Sequence, residues 1–244
     1  MSNCEQDRLY ATPQQRVQRF VFDDRVASVF SDMISRSVPG YSSVIDMTGI
    51  LAAQHAQEGT RLYDLGCSLG AATAAMCLHL PARGRYNIIA VDNAPSMLQR
   101  AQQNLQDQGE YPIEFLCADI RDVEIYDASV VVLNFTLQFL PLEQRQMLLQ
   151  RIRSGMTPGG VLILSEKFKG ADGRKERVLN EMHLAFKRAN GYSDMEISQK
   201  RTALENVLIP DTLETHHQRL HDAGFSRVDQ WFQCCNFVSI IARP

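Results

Sequence analysis

From residue 61 onward, the sequence alternates between short apolar runs rich in β-branched residues and longer segments with helical periodicity. Glycine, aspartate or proline separates one kind of segment from the next. This alternation is typical of a parallel sheet covered by helices on both faces. It predicts strands at 61–65, 87–91, 113–116, 129–135 and 161–165, and helices at 70–80, 95–105 and 143–153.

The carboxyl-terminal part predicts a helix at 211–223, stopped by Gly224, and then two more strands at 225–231 and 237–242. A short connection at 232–236 would make these strands an antiparallel hairpin at the edge of a seven-stranded sheet. Two segments lie outside the alternating core, and both are expected to be helical. The 244 residues are therefore expected to form one domain, made of an amino-terminal helical extension (1–55), an α/β core (56–166), a helical insert (167–210), and a last helix with the hairpin (211–244).

The composition argues against several classes of protein. A net charge of −3, from 25 basic and 28 acidic residues, disfavours a chain that binds nucleic acid through accumulated phosphate contacts. No apolar stretch approaches the roughly 18 residues of a membrane span. The amino terminus also lacks the basic and then apolar layout of a secretory signal, so no membrane association and a cytoplasmic location are expected.

Cysteine and histidine spacing gives no indication of a metal site. The chain has no Cys-x-x-Cys pair, and reduced thiols are expected at Cys4, Cys67, Cys77, Cys117, Cys234 and Cys235. The histidines at 183, 216, 217 and 221 have no recognisable partner and are expected on the surface or on helices.

The insert is the basic part of the chain. From Glu166 to Arg201, nine basic residues stand against six acidic ones, so this segment is positive within a slightly negative protein. Such a segment suits an anionic small molecule, although a solvated helical face has the same composition.

A glycine-containing turn joins the first predicted strand to the helix after it, with the sequence Asp64-Leu65-Gly66-Cys67-Ser68-Leu69-Gly70. Glycine lets the backbone approach a ligand closely, and the helix amino terminus offers free N–H groups, so the turn indicates a nucleotide site. The spacing does not match the Gly-x-Gly-x-x-Gly of dinucleotide sites. The Asp-x-Gly-x-x-x-Gly arrangement instead resembles the first motif of class I S-adenosylmethionine-dependent enzymes, whose ligand carries no phosphate.

Polar side chains follow the next strands at the same edge of the predicted sheet. Asp92 ends the second strand, where a carboxylate can accept both ribose hydroxyls. Asp119 and Ile120 follow the third strand, where this superfamily usually contacts adenine, and Asn134 ends the fourth. Each polar residue could be an ordinary turn residue, but their order on successive strands favours an S-adenosylmethionine fold over a generic α/β binding domain.

Longer stretches carry a closer resemblance. They are residues 36–41 (RSVPGY), 63–73 (YDLGCSLGAAT), 133–140 (LNFTLQFL), 186–193 (FKRANGYS), 196–201 (EISQKR) and 231–234 (WFQC). Together they resemble the carboxy-S-adenosyl-L-methionine synthases from near Phe20 to the carboxyl end, including both segments outside the core. The resemblance implies a Rossmann-like class I methyltransferase fold, with a seven-stranded, mostly parallel sheet and a carboxyl-terminal antiparallel hairpin.

The resemblance also implies a reaction other than methyl transfer. S-adenosyl-L-methionine and prephenate would give carboxy-S-adenosyl-L-methionine and phenylpyruvate, and a separate enzyme would use the product to carboxymethylate a wobble uridine of tRNA. A sulfonium methyl is weakly acidic, and prephenate can supply both carbon dioxide and, through its departing ring hydroxyl, a base. The protein then needs proximity and electrostatic stabilisation more than acid or base groups. A homodimer without metal, and without direct contact to nucleic acid, is implied.

The family pattern also implies the site residues. The adenosyl ligand would be surrounded by Tyr41, Gly66, Cys67, Ser68, Asp92, Asn93, Asp119, Ile120 and Asn134, and the added carboxylate would pair with Arg201 as the catalytic residue. The fixed, bidentate fork of arginine suits a carboxylate. From the residues alone, Arg201 could equally lie on a solvated helix face, Tyr41 could cap a turn, and Cys67 could be a small packing residue. Candidates for the carboxylates of prephenate are Lys200, Arg188 and Lys169.

Two other functions remain open from the sequence. The chain could be a true methyltransferase acting on a small molecule or RNA, with its added segments forming the acceptor pocket. It could also be a non-catalytic carrier that holds a modified S-adenosylmethionine for a partner.

Overall fold

The computed structural model describes residues 5–82, 84–108 and 111–244. Cys4 lies outside the described residues, whereas the other five cysteines are free thiols. Within the described ranges, no helix is long and apolar enough to cross a membrane.

An extended segment and two helices precede the sheet. Residues 5–23 contain no helix and run across helix α7 (Asp194–Leu204), where the Phe20 N–H donates to the Ala203 carbonyl at 2.9 Å. Helix α1 (Asp24–Ser37) begins where the Asp23 carboxylate accepts a hydrogen bond from the Val26 N–H at 3.0 Å, and α2 (Tyr41–His55) follows. The amino-terminal extension was expected to be helical over residues 1–55. In its described part, helix begins only at Asp24.

In the described part of the chain the sheet has eight strands, seven of them on one continuous path. The strands are β1 (Arg61–Leu65), β2 (Asn87–Asp92), β3 (Ile113–Cys117), β4 (Ala128–Asn134), β5 (Met156–Lys169), β6 (Asp211–Thr212), β7 (Arg227–Cys234) and β8 (Phe237–Arg243). Their order is β3-β2-β1-β4-β5-β8-β7, with β1 to β5 parallel and the β7–β8 hairpin antiparallel. The chain direction across the sheet reverses between β1 and β4, which opens a crevice at their carboxyl ends.

Helices cover both faces of this sheet. They are α3 (Ala71–His79), α4 (Pro95–Leu105), α5 (Leu142–Gly155), α6 (Gly173–Ala189), α7 and α8 (Leu213–Asp222). The central strand β4 is buried along all but its last residue, as expected for parallel strands packed on both sides. The predicted class I methyltransferase fold is confirmed, with α6 and α7 forming the helical insert.

Three local predictions differ from the structure. The prediction of a helix starting at 211 was wrong, since Asp211 and Thr212 form β6, which pairs with β5. The Asp211 carboxylate lies 2.6 Å from Nη1 of the buried Arg145, and this ion pair holds the short strand. Strand β5 starts at Met156 and contains Pro158-Gly159-Gly160 as a bulge rather than following it. The final hairpin turns over two residues, 235 and 236.

Candidate active site

The glycine turn after β1 requires glycine for two separate reasons. Gly66 has a φ of +83°, and a Cβ there would lie 2.4 Å from the Thr136 hydroxyl oxygen. The N–H groups of Gly66 and Cys67 both donate to the Val91 carbonyl at 2.8 Å, which ties the turn to β2. Ser68 also has a positive φ, +51°, which is a strained conformation for serine. The backbone of residues 66–68 therefore lies at the wall of the crevice.

Asp92, at the end of β2, holds this turn and also faces the crevice. Its Oδ2 accepts the Ser68 N–H at 2.8 Å, and its Oδ1 accepts the Ala94 N–H at 2.9 Å. Burial raises the pKa of this carboxyl, while the two backbone hydrogen bonds oppose that rise. Each carboxylate oxygen retains acceptor capacity, so Asp92 can still accept the two hydroxyls of a ribose.

Asp119 and Ile120 form the wall next to Asp92. Asp119 accepts hydrogen bonds from the backbone N–H and the Nε of Arg121, at 2.9 and 2.8 Å. The Arg121 side chain is the main cause of the lowered Asp119 pKa, so this carboxyl is ionised at neutral pH. Ile120 is buried beside it and offers an apolar surface to a flat ring.

Asn134 and Asp64 lie deeper in the crevice. The Asn134 amide nitrogen contacts the Thr48 hydroxyl at 3.4 Å, while its buried Oδ1 has no hydrogen-bond partner among the described residues. Asp64 Oδ2 accepts the Thr73 N–H and hydroxyl at 3.0 and 2.7 Å, and burial raises the Asp64 pKa to about 6. An orphaned acceptor beside a carboxylate suits a ligand with a positive centre and N–H donors.

The crevice consists of two cavities that share six lining residues: Phe22, Gly66, Ser68, Phe135, Thr136 and Phe139. We call the first, which contains Asp92 and Asp119, the polar cleft. The second, here the apolar chamber, has a volume of about 1050 Å³ including space open to solvent. Its aromatic walls are Phe20, Phe22, Phe30, Phe135, Phe139 and Phe237. Two joined cavities of this kind can hold two ligands side by side and limit the access of water.

Basic groups line the apolar chamber. Lys167, Lys187, Lys200 and His183 all face it, whereas Asp64 is its one acidic lining residue in the described part of the chain. Burial, followed by the charges of neighbouring basic residues, lowers the Lys187 pKa to about 7. His183 carries no charge at neutral pH, because burial lowers its pKa to about 3. The three lysines therefore make the chamber favour an anion.

Nine of the ten predicted site residues lie together in this crevice. Those lining the apolar chamber are Tyr41, Gly66, Cys67, Ser68 and Asn134, and those lining the polar cleft are Asp92, Asn93, Asp119 and Ile120, with Gly66 and Ser68 shared. Arg201 is exposed on α7 and lines neither cavity of its own chain. Burial raises the pKa of the Cys67 thiol well above its ordinary value, which disfavours a thiolate and fits a packing role.

Among the basic candidates, the structure brings only Lys200 into the chamber. Arg188 pairs instead with Asp194 on the surface at 2.7 Å, and Lys169 is exposed outside both cavities. His183 was expected on the surface or a helix: it does lie on α6, but it is buried at the chamber wall, with its Nε2 2.8 Å from the Ser37 carbonyl. Sequence reasoning also missed Lys167 and Lys187, for which the positive charge of the insert was the available signal.

A cluster of three or more potential metal-ligating side chains is absent from the described residues. The residues of the crevice fit S-adenosylmethionine instead: a carboxylate for ribose, an apolar wall for adenine, and an orphaned amide oxygen beside Asp64 for the cationic amino-acid end.

Fold and site together define a class I S-adenosylmethionine-dependent methyltransferase-type enzyme. A family model described as a methyltransferase domain matches residues 62–160. Human N-acetylserotonin methyltransferase, solved in complex with S-adenosylmethionine, has the same fold, with a TM-score of 0.58 and 18% identity over 90% of this chain. The present chain spans 55% of that longer chain.

Two curated relatives are much more similar in sequence. The carboxy-S-adenosyl-L-methionine synthase of Stutzerimonas stutzeri strain A1501 is 54% identical over 243 residues, 98% of each chain. That of Shewanella putrefaciens strain CN-32 is 53% identical over 241 residues, 98% of this chain and 99% of the relative. The chain belongs to the carboxy-S-adenosyl-L-methionine synthase family.

Proposed function

We propose that this enzyme converts S-adenosyl-L-methionine and prephenate into carboxy-S-adenosyl-L-methionine and phenylpyruvate. The observation that carries the proposal is the junction, through Gly66 and Ser68, of a polar cleft suited to adenosine with a lysine-lined, largely apolar chamber. The chamber suits a small organic acid better than a nucleic acid, whose binding requires an extended basic surface. The opening between the cavities is where a sulfonium methyl and the acid would meet.

The proposed reaction balances without a further reagent. Prephenate loses its ring carboxylate as carbon dioxide, the electrons of the broken C–C bond aromatise the ring, and the ring hydroxyl leaves as hydroxide. That hydroxide removes a proton from the sulfonium methyl to form water, and the methyl carbon forms a bond to the carbon dioxide. The protein must therefore retain the carbon dioxide and exclude competing water, which the aromatic walls of the chamber favour.

Three residues of the polar cleft have a proposed role in holding the adenosyl group. Asp92 accepts the ribose hydroxyls, Asp119 accepts the adenine amine, and Ile120 packs on the adenine ring. In the chamber, Asn134 Oδ1 and Asp64 receive the ammonium of the methionine moiety. These contacts are common to substrate and product, so they position the methyl carbon throughout the reaction.

Arg201 is proposed to pair with the carboxylate of the product, and to do so in the partner's site of a homodimer. Supporting this, Arg201 is exposed and forms no ion pair with any described residue of its own chain. Val178 and Met182, one turn apart on α6, expose 48% and 50% of their surface and offer an apolar contact for a second subunit. The insert is thus the expected dimer contact.

The product is proposed to serve a separate cytoplasmic enzyme that carboxymethylates a wobble uridine of tRNA. In this scheme the present protein prepares a small diffusible molecule, so its net charge of −3 is compatible with a role in tRNA modification without direct tRNA contact.

Incubation of the purified protein with S-adenosylmethionine and prephenate, followed by mass spectrometry of the adenosyl products, tests the proposal. The expected product is heavier than S-adenosylmethionine by one carbon dioxide. Conversion to S-adenosylhomocysteine with a methylated acceptor would identify a true methyltransferase. Tight binding of carboxy-S-adenosylmethionine with neither conversion would identify a carrier.

A further inference from the structure

Three lysines from three elements converge on the apolar chamber. Lys167 lies near the end of β5, Lys187 in the last turn of α6, and Lys200 on α7. All three belong to the insert (167–210), whereas the glycine turn and the strand-end carboxylates that suit the adenosyl group belong to the α/β core. They therefore form the wall against which the second substrate would rest.

The three amines differ in how they are paired. The Lys200 Nζ donates to the Ser37 hydroxyl at 3.1 Å and lies 3.6 Å from a carboxylate oxygen of Asp7. Lys167 and Lys187 form neither a side-chain hydrogen bond nor an ion pair with any described residue. Burial lowers the pKa of both. Placing unpaired ammonium groups together in an apolar cavity is unfavourable unless an anion compensates them.

Prephenate presents two carboxylates, and they make opposite demands on the site. The ring carboxylate must leave as carbon dioxide, so ammonium groups bound to it would stabilise the ground state and oppose cleavage. The side-chain carboxylate is unchanged in phenylpyruvate, so cations can bind it equally before, during and after the reaction. Binding it also turns the ring toward the opening shared with the polar cleft.

We infer that Lys167 and Lys187 bind the side-chain carboxylate of prephenate, the one retained in phenylpyruvate, while Lys200 is held by Asp7 and Ser37 and adds a further positive charge. The assignment rests on the proposed function for the identity of the acid. In this assignment the two lysines position the substrate, and they stabilise its ground state and the transition state equally. Their loss should therefore raise KM for prephenate and leave kcat little changed.

The test compares Lys167→Met, Lys187→Met and the double variant with Lys169→Met. Methionine keeps an unbranched stem of similar length, and Lys169 is an exposed lysine on the same strand that lies outside the chamber. Thermal unfolding verifies that each variant folds. For each protein, KM and kcat are measured with prephenate, and phenylpyruvate is titrated calorimetrically into the complex with S-adenosylhomocysteine.

We expect each single variant to raise KM for prephenate about tenfold or more, the worth of a charge-assisted hydrogen bond, and to weaken phenylpyruvate binding by a similar factor. Affinity for S-adenosylmethionine and the behaviour of Lys169→Met should match the unmodified enzyme. An unchanged phenylpyruvate affinity would contradict the assignment. A parallel loss of S-adenosylmethionine affinity would overturn it too, because the lysines would then hold the methionine carboxylate.

The same experiment separates a failure of the proposed reaction from a failure of the assignment of Lys167 and Lys187. If the unmodified enzyme forms no carboxylated product, the proposed function fails. The phenylpyruvate titration still decides whether Lys167 and Lys187 bind an α-keto carboxylate, since it requires no turnover.

Discussion

The carboxylate of Asp92 accepts the backbone N–H of Ser68 at 2.8 Å, so the side chain at the end of β2 holds the turn that follows β1. Ser68 has a φ of +51°, and the hydrogen bond helps to keep this strained turn in place. The same carboxylate faces the polar cleft. The geometry of the turn and the proposed ribose contact therefore depend on the same side chain.

Replacement of this side chain should weaken every adenosyl ligand. We expect Asp92→Ala to lower the affinity for both S-adenosylmethionine and carboxy-S-adenosylmethionine at least tenfold, because charge-assisted hydrogen bonds contribute about 1.5–3 kcal/mol. Calorimetric titration measures both affinities, and Asp107→Ala, at an exposed carboxylate after α4, is the matched control. Retained affinity in Asp92→Ala would show that Asp92 does not bind the ribose.

The glycine turn allows backbone strain to be separated from collision. Gly59 and Gly66 have similar φ values, +79° and +83°, but a Cβ would meet nothing within 4 Å at Gly59 and the Thr136 side chain at 2.4 Å at Gly66. Gly59→Ala should cost about 1–2 kcal/mol of unfolding free energy and leave adenosyl affinity intact. Gly66→Ala should lower the unfolding free energy and also lower the affinity for adenosyl ligands at least tenfold. Equal behaviour of the two variants in denaturation and titration would disprove a specific role for the Gly66 approach.

The proposed action of Arg201 across a dimer can be tested by mixing two impaired variants at a concentration of S-adenosylmethionine too low for either to form product alone. Arg201→Ala subunits keep an intact polar cleft, and Asp92→Ala subunits keep Arg201. If Arg201 serves the partner's site, a mixed dimer contains one complete site and product formation recovers when the two proteins are refolded together. If Arg201 serves its own chain, every site in the mixture lacks one group and no activity returns. Size-exclusion chromatography with light scattering verifies the mixed dimer.

Lys187, which is partly buried at the chamber, should make stability depend on pH. Its pKa is lowered from about 10.5 to about 7 by burial and then by the charges of Lys200, Lys167 and Arg201. Between these values the unfolded chain binds more protons than the folded one, so the contribution of Lys187 to unfolding free energy rises with pH. Relative to Lys187→Met, the unmodified protein should thus gain stability from about pH 7 to pH 10. Denaturant unfolding across this range measures the difference, and a flat or falling difference would contradict the lowered pKa of Lys187.

Most of the fold could be predicted because local patterns determine it. The strand 61–65 and the helix 95–105 have the predicted bounds, since the first is a continuous buried run and the second begins at Pro95 and is amphipathic. The strand-end residues of the crevice were also predictable, because parallel strands place Asp92 and Asp119, which line the polar cleft, and Asn134, which lines the apolar chamber, at one edge of the sheet.

Predictions failed where distant residues decide the outcome. Asp211 reads as the start of a helix, but its ion pair with Arg145, far along the chain, places it in β6. Likewise, nothing in the local sequence distinguishes the partly buried Lys167 from the exposed Lys169, since only the packing of β5 against its neighbours decides which lysine faces the chamber. Polar residues of an insert cannot be assigned to a site before the insert is placed on the core.

The transfer of the ring carboxylate of prephenate to the sulfonium methyl is tested most sharply by following the transferred carbon. Prephenate labelled with carbon-13 in its ring carboxylate is incubated with the enzyme and S-adenosylmethionine, and both products are analysed by mass spectrometry. If the proposed reaction takes place, the label appears in carboxy-S-adenosylmethionine and phenylpyruvate is unlabelled. Label retained in phenylpyruvate, or an adenosyl product that has lost its methyl group instead of gaining the labelled carboxylate, would contradict it.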